Sequence, residues 1–233
     1  LMKSSSNQTQ TGILKKIAAW LLHILPNRQF LMVGAVVVGL WAGLTAVLLK
    51  ISVHYLLEIL KSFGQHDNWI YFLSPAVGIF ATYLFIRLAL KGDLTRGTSH
   101  VLLAIAKKSS FLPKKETFSH VVTSALTVGL GGSAGLESPI VQTGSAIGST
   151  FASVFPIGYR DRTLLLACGA SAGIAAAFNA PIAGVLFALE VLLVDVSISA
   201  FIPLLIAGAT GALCSEIILS EGILLSFKQV RDF

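Results

Sequence analysis

The residues best suited to chemistry lie in one glycine-rich stretch, Gly131 to Pro139, within an otherwise apolar sequence. Its one carboxylate, Glu137, precedes Ser138, a residue type that caps helices, and Pro139, which suits the first helical turn. The first N–H groups of a helix have no internal partners and carry partial positive charge, so they can bind an anion. An ionisable residue at membrane depth is functional by default, which makes Glu137 a candidate site residue. The alternative is that Glu137 only caps a helix in an interfacial loop.

Composition indicates a polytopic helical membrane protein. Of 233 residues, 55% are hydrophobic and 12% are charged, whereas about 25% are charged in soluble domains. The mean hydropathy of +0.81 agrees. The net charge is +6, but the apolar segments leave no clustered basic face of the kind that binds nucleic acid. Cys168 and Cys214 lie in apolar runs and are interpreted as buried small residues, not as a disulfide or a metal site.

The N-terminal region, residues 1–29, precedes the apolar segments. Residues 1–12 are polar and are predicted to be disordered, and no cleavable signal peptide is evident. Residues 13–25 place their apolar side chains on one face, which predicts an amphipathic helix on the membrane surface that Pro26 ends.

Two spans of about 20 residues are predicted at 30–49 and 69–90, with a polar loop at 61–68 between them. The following segment, 91–115, carries six basic residues against one acid, and the N-terminal region is also basic. Because two spans separate these regions, they lie on the same side of the membrane. The positive-inside rule assigns that side, with the N-terminus, to the cytoplasm.

Shorter apolar segments follow, and several are too short to cross a bilayer. Thr98 or Ser99 is expected to cap a helix at 101–106, and the next helix, at 117–130, carries His120 as a surface residue. Four later segments are rich in Gly, Ala and Ser: 140–155, 163–177, 181–194 and 198–219. Broken helices at membrane depth occur where they line a cavity, so the pattern indicates a transporter or channel.

Glycines four residues apart recur in these segments, and such pairs let neighbouring helices approach closely. The pairs are Gly39 and Gly43, Gly144 and Gly148, and Gly169 and Gly173.

Two motifs resemble the CLC family of chloride channels and transporters. Residues 135–139, GLESP, are similar to the family's Gly-Lys/Arg-Glu-Gly-Pro motif, and residues 177–190, AFNAPIAGVLFALE, resemble its next signature. The resemblance extends over residues 30–219. It implies an all-α membrane fold of short, broken and tilted helices, the first of two inverted repeats, with 220–233 as a linker to the second. It also implies chloride as the permeant ion and no cofactor.

The resemblance assigns site residues by position. Glu137 matches the family's gating glutamate, and Gly135, Leu136 and Ser138 surround it in the anion-binding motif. An ionised Glu137 would mimic the anion at the helix N-terminus, and desolvation there would raise its pKa. The family's Gly-Ser-Gly-Ile-Pro motif, which provides a serine to the central chloride, falls at 95–101. There the match is poor, and the serine position corresponds either to Thr98 or to Arg96, beside Gly97 and Ser99.

A further position concerns proton coupling. In many family exchangers a second glutamate follows the one that Glu190 matches, and it delivers protons from the cytoplasm. Here that position is Val191, which cannot relay a proton. This favours voltage- or proton-gated passive chloride conduction, with a chloride/proton antiporter as the alternative. Glu190 is interpreted as a structural partner in a helix-end hydrogen-bond network.

The family's second half supplies a Gly-x-Phe-x-Pro loop and a tyrosine to the anion site, and no counterpart of that loop or of that tyrosine is found in this sequence. A non-conducting half that works only when assembled with its second half is therefore a further alternative. Resemblance implies a homodimer that uses the last two helices, 181–219. An enzyme is not indicated, because no nucleophile–base pair, metal-ligand cluster or phosphate loop stands out.

Overall fold

The structure, a computed structural model, describes residues 26–64, 68–91, 97–107, 109–193 and 198–219. Within these ranges the chain forms eight α-helices and one π-helical turn. In chain order they are α1 (Asn27–Gly64), α2 (Asn68–Ala89), α3 (Thr98–Ala106), α4 (Glu116–Gly129), α5 (Glu137–Ser153), α6 (Tyr159–Phe178), α7 (Pro181–Phe187), the π-helical turn (Ala188–Leu192) and α8 (Ile198–Leu219). The predicted amphipathic helix at 13–25 and the linker at 220–233 lie outside the described residues.

Four helices are long and apolar enough to cross a membrane: α1, α2, α6 and α8. The predicted second span, at 69–90, matches α2 closely. The first helix is longer than predicted, because it continues through Leu60 and Lys61 to Gly64, where a loop was expected. Lys61 favours that continuation, since a basic side chain in the last turn complements the negative end of the helix dipole.

Helix α6 lies at the centre of the bundle, where α1, α5, α7 and α8 pack around it. Every residue from Thr163 to Ala176 is buried, although few of these side chains are large. Its partner α5 is buried over most of its length as well. A helix that is enclosed on all sides by other helices needs small residues, because large ones would hold its neighbours apart.

The contact between α5 and α6 is made by backbone. A Cβ added to Gly144 would overlap the carbonyl of Gly169, and one added to Gly169 would overlap the carbonyl of Gly144. Gly148 faces the carbonyl of Leu165, and Gly173 faces Ile140. We call this run of contacts the glycine seam. The prediction that these glycine pairs allow close helix packing is confirmed.

The pair on α1 serves in the same way. A Cβ on Gly39 would lie 3.0 Å from Cα of Ala207, and one on Gly43 would lie 2.9 Å from Cα of Gly211. Both partners belong to α8, so α1 and α8 also pack at backbone distance.

Helix α2 lies at the periphery, and only 11% of its most apolar 18-residue stretch is buried inside the protein. It packs against α4, where the hydroxyls of Thr82 and Thr127 are 2.9 Å apart. Its opposite face exposes large apolar side chains, including Trp69, Phe72 and Leu88. Exposed apolar area on this scale is expected of a surface that faces lipid, not water.

The segment between α3 and α4 is fastened to α5 and α6 by polar contacts. Ser149 accepts a hydrogen bond from the N–H of Leu112 at 2.9 Å and donates one to the carbonyl of Ser110 at 2.8 Å. The Arg162 guanidinium donates to the carbonyl of Ser109 at 2.9 Å and stacks over the Phe111 ring. These contacts set the position of α3 against the bundle.

Candidate functional site

The glycine-rich stretch begins as the end of α4. The N–H of Gly131 bonds to the carbonyl of Val128 at 3.0 Å, and the N–H of Gly132 bonds to that of Thr127 at 2.9 Å. With Gly131 at φ +91°, this is a Schellman motif, which requires a left-handed residue just after the helix. These two N–H groups therefore satisfy α4 carbonyls and do not form part of an anion site.

The beginning of α5 is where unused donors lie. No hydrogen bond between described residues uses the N–H groups of Gly135, Leu136, Glu137 and Ser138. They precede a helix of 17 residues whose body is buried, so its partial positive charge is directed at this point. The predicted capping role of Ser138 is wrong: the cap position is Leu136, and Ser138 Oγ lies 3.4 Å from Gln142 Nε2.

The Glu137 side chain is exposed, contrary to the desolvation expected from the sequence, and it folds back over the loop that precedes it. A Cβ added to Gly135 would overlap Glu137 Oε2. The carboxylate thus occupies space that exists only because residue 135 lacks a side chain. This places a negative charge within the loop that leads into the N-terminus of α5.

Helix α3 contains Thr98 and Ser99, two of the other residues predicted to bind the anion. It begins at Thr98 with Gly97 in the cap position at φ 72°, and no side chain caps it. The expectation that Thr98 or Ser99 caps this helix is therefore wrong. The cap position has a positive φ, which favours glycine, and Gly97 occupies it. Ser99 is exposed and Thr98 is half-buried, and Arg96 lies outside the described residues.

The structure places α3 and α5 in contact but does not bring the start of α3 and Glu137 together directly. Helix α3 packs against α5, and Val101 and Val141, one turn into each helix, belong to the same core cluster. Within the described part of the chain, no hydrogen bond or ion pair links Thr98 or Ser99 to Glu137.

The predicted helix at 181–194 is two elements. Helix α7 starts with Pro181 after Asn179, which adopts the left-handed conformation at φ 51° and ends α6. It then widens into the π-helical turn that contains Glu190 and Val191. Both side chains are exposed. Among described residues Glu190 has no hydrogen-bond partner, contrary to the predicted helix-end network.

A buried polar group beside α3 was missed by sequence reasoning. Glu116 is only 2% exposed, and its Oε1 lies 3.4 Å from His100 Nδ1. His120, predicted to be a surface residue, is 6% exposed, because the face of α4 that carries it turns into the bundle. Burial, and secondarily the charge of His100, lowers the pKa of His120 to about 4, so its imidazole is neutral at pH 7.

Lys50 was also missed. It lies within the apolar part of α1, and its Nζ donates a 2.9 Å hydrogen bond to the carbonyl of Ala176, in the last turn of α6. The adjacent core cluster contains Leu49 and Ala176, with Leu136 packed against it. The signal was available in the sequence, since a lone lysine between apolar residues is a functional candidate in a membrane helix.

Within the described ranges, no group of three or more His, Cys, Asp or Glu side chains is arranged to hold a metal. The described residues combine apolar helices, some of them short, with N-terminal donors of α5 that no described residue uses and a carboxylate beside those donors.

Comparison with known proteins identifies the family. Residues 77–233 match the model of the voltage gated chloride channel family, and the chain belongs to that family. A ClcB-like protein of Ralstonia nicotianae is 32% identical over 146 residues, which cover 61% of this chain and 34% of that protein. A protein of Pseudomonas syringae named a chloride/fluoride channel protein is 30% identical over 171 residues, covering 73% and 36%.

Solved structures share the fold. A crystal structure described as a CLC-type fluoride/proton antiporter aligns with a TM-score of 0.66 and 27% identity, over 88% of this chain and 51% of that one. The all-α, CLC-type fold is thereby confirmed. The chain spans about a third of the length of the curated relatives above and about half of this solved structure.

Proposed function

We propose that this chain is part of a protein that transports chloride or a similar anion across a membrane, with Glu137 as its gate. The observation that carries the proposal is the unused N–H groups of residues 135–138 beside the Glu137 carboxylate. Backbone donors at a helix N-terminus bind an anion without a cation that would trap it. Family membership supports the same assignment.

The gate works by competition between two anions. When ionised, the Glu137 carboxylate takes the place of the permeant anion at the N-terminus of α5. When protonated, it no longer carries the charge that this site attracts, and the anion enters. Because Gly135 has no side chain, it leaves the space that the Glu137 carboxylate needs in order to fold against the loop.

Passive conduction is the mode we favour. Val191 stands where family exchangers place a proton-carrying glutamate, and it is an exposed apolar residue of the π-helical turn. Proton/anion exchange is the second candidate, because the structural relative named above is described as an antiporter. Its description and the name of the Pseudomonas relative both include fluoride, so fluoride is a candidate substrate beside chloride.

The first experiment measures anion efflux from liposomes that contain the protein at the full length of its coding sequence. Chloride and fluoride electrodes report the anion, and a pH electrode reports proton movement. Wild type is expected to release anion without stoichiometric proton uptake, at a rate that rises as the pH falls. Glu137→Gln, which mimics the protonated gate, is expected to conduct at a rate that no longer depends on pH.

Each alternative has its own outcome in that experiment. Proton uptake in a fixed ratio to anion efflux contradicts passive conduction and establishes an exchanger. Equal pH dependence in wild type and Glu137→Gln contradicts the gate assignment. The matched control is Glu58→Gln, which neutralises an exposed α1 carboxylate whose Oε1 lies 3.3 Å from His54 Nε2. This variant is expected to leave the pH dependence unchanged.

We further infer a cytoplasmic N-terminus and a homodimer formed through α7 and α8. The basic residues of 1–29 and 91–115 support the first inference. Exposed apolar side chains on both helices, among them Ile182, Leu186 and Leu213, support the second. A cysteine introduced at residue 186 is expected to cross-link two copies in liposomes, whereas one introduced at Leu88, on peripheral α2, is not. Absence of cross-linking at residue 186 would contradict this interface.

A further inference from the structure

A second polar feature lies where α1 and α6 begin. A cavity of about 580 Å³ opens there, within the range of about 300–1,000 Å³ typical of small-molecule sites. Its walls are mostly apolar and come from four helices and the π-helical turn. They include Leu31, Met32, Leu164, Leu192, Ile202 and Pro203.

Two arginines line the same cavity. Arg28 is the second residue of α1, and Arg160 is the second residue of α6. Both side chains are exposed, and neither takes part in a hydrogen bond or ion pair with another described residue. The one carboxylate that lines the cavity is Asp161, which leaves a net positive charge there.

The arginines stand where the local electrostatics disfavour them. A helix N-terminus is positive, so a cation in the first turn is destabilising and an anion is stabilising. Positive charge at this cavity therefore comes from four sources, namely the two arginine side chains and the N-termini of the two helices that carry them. Departures from a local rule of this kind are expected where a ligand compensates for them.

We propose that this cavity binds an anionic phospholipid, with its phosphate between Arg28 and Arg160. Arginine pairs with phosphate oxygens through two parallel hydrogen bonds, which a planar guanidinium supplies and a lysine does not. The apolar walls receive the glycerol backbone and the upper part of an acyl chain. Ile202, at the wall and 49% exposed, connects the cavity with the protein surface, where the rest of the acyl chain continues.

Two other occupants fit less well. Free phosphate would use the arginines but leave the apolar walls without a partner. The preceding segment, residues 1–25, contains three lysines and no Asp or Glu, so its charge does not complement that of the arginines. The lipid satisfies both halves of the cavity.

The test is a titration of the purified full-length protein with phosphatidylglycerol in a neutral detergent, followed by native mass spectrometry. The double variant Arg28→Gln/Arg160→Gln is expected to bind it about tenfold more weakly than wild type, in line with the loss of charge-assisted hydrogen bonds. Ile202→Trp, which keeps both arginines but narrows the cavity, is expected to weaken binding too. Arg87→Gln, at an exposed arginine of α2 that is 3.3 Å from the Tyr83 hydroxyl, is expected to bind as wild type does.

Three results would overturn the proposal. The first is equal phosphatidylglycerol binding by wild type and the double arginine variant. The second is equally tight binding of glycerol 3-phosphate, which would show that the apolar walls contribute nothing. The third is tighter lipid binding after deletion of residues 1–25, which would identify that segment as the occupant. The assay measures lipid binding alone, so its result is independent of whether the protein transports anions.

Discussion

The glycine seam gives the sharpest test of the packing. Gly144→Ala adds one methyl group at the point where α5 crosses α6. Its Cβ would overlap the carbonyl oxygen of Gly169 and lie 2.8 Å from the carbonyl carbon. Ordinary contacts of a Cβ begin at 3.4 Å, so the two backbones must separate by at least about 0.6 Å. No change of rotamer relieves this overlap, because both partners are main chain.

The cost follows from overpacking. An extra methyl group in a well-packed core costs about 1–3 kcal/mol, and the upper end applies where the obstacle is backbone. Against this, alanine is about 1 kcal/mol better than glycine within a helix. The expected net loss is therefore about 2 kcal/mol in the free energy of unfolding.

The measurement is the free energy of unfolding of each variant, from a titration with dodecyl sulfate in mixed micelles. Gly158→Ala is the control, because its Cβ meets nothing within 4 Å and its φ of −67° suits alanine. The double variant Gly144→Ala/Gly169→Ala is expected to lose less than the sum of the two single losses, since the first substitution has already parted the helices. If Gly144→Ala is as stable as Gly158→Ala, the described backbone contact is wrong.

Two further substitutions test the attachment of the segment before α4. Ser149→Ala is expected to lower the free energy of unfolding by about 2 kcal/mol, because it leaves the N–H of Leu112 and the carbonyl of Ser110 without partners in a buried site; an unchanged titration midpoint would contradict those bonds. Arg162→Gln is expected to cost a similar amount, about 2 kcal/mol, because it removes two hydrogen bonds to main-chain carbonyls and the stacking on Phe111. In that case Arg162→Lys should recover less than half of the loss, and full recovery would refute the stacked, two-bond geometry.

The helices and their small-residue contacts were predictable from the sequence, because spacing of glycines and length of apolar runs depend on local chemistry alone. Helix α2 and the pair Gly144 and Gly148 are examples. The extent of α1 was not predictable in this way, since the polar residues after Leu60 are compatible with either a loop or an exposed last turn. The π-helical turn within 181–194 leaves no mark in the hydrophobic pattern either.

The candidate site was predictable in its residues but not in its donors. Glu137 was found because a carboxylate follows a glycine run before a helix. Which N–H groups remain unused depends on how α4 ends, and the sequence does not show that the N–H groups of Gly131 and Gly132 bond to α4 carbonyls in a Schellman motif. The burial of His120 depends on which face of α4 turns inward, which tertiary packing decides.

The glycine seam also bears on how the gate that we propose at the N-terminus of α5 moves. Side chains that interlock across an interface can exchange rotamers, and helices joined in that way slide past one another in small steps. A contact between two backbones has no alternative rotamers. Forming it also costs little side-chain entropy, because glycine has no side chain to order. Helices α5 and α6 are therefore expected to move as one unit. Motion at the proposed gate is therefore expected from the rotatable bonds of the Glu137 side chain. It would occur on the nanosecond scale of exposed side chains and not on the slower scale of helix shifts.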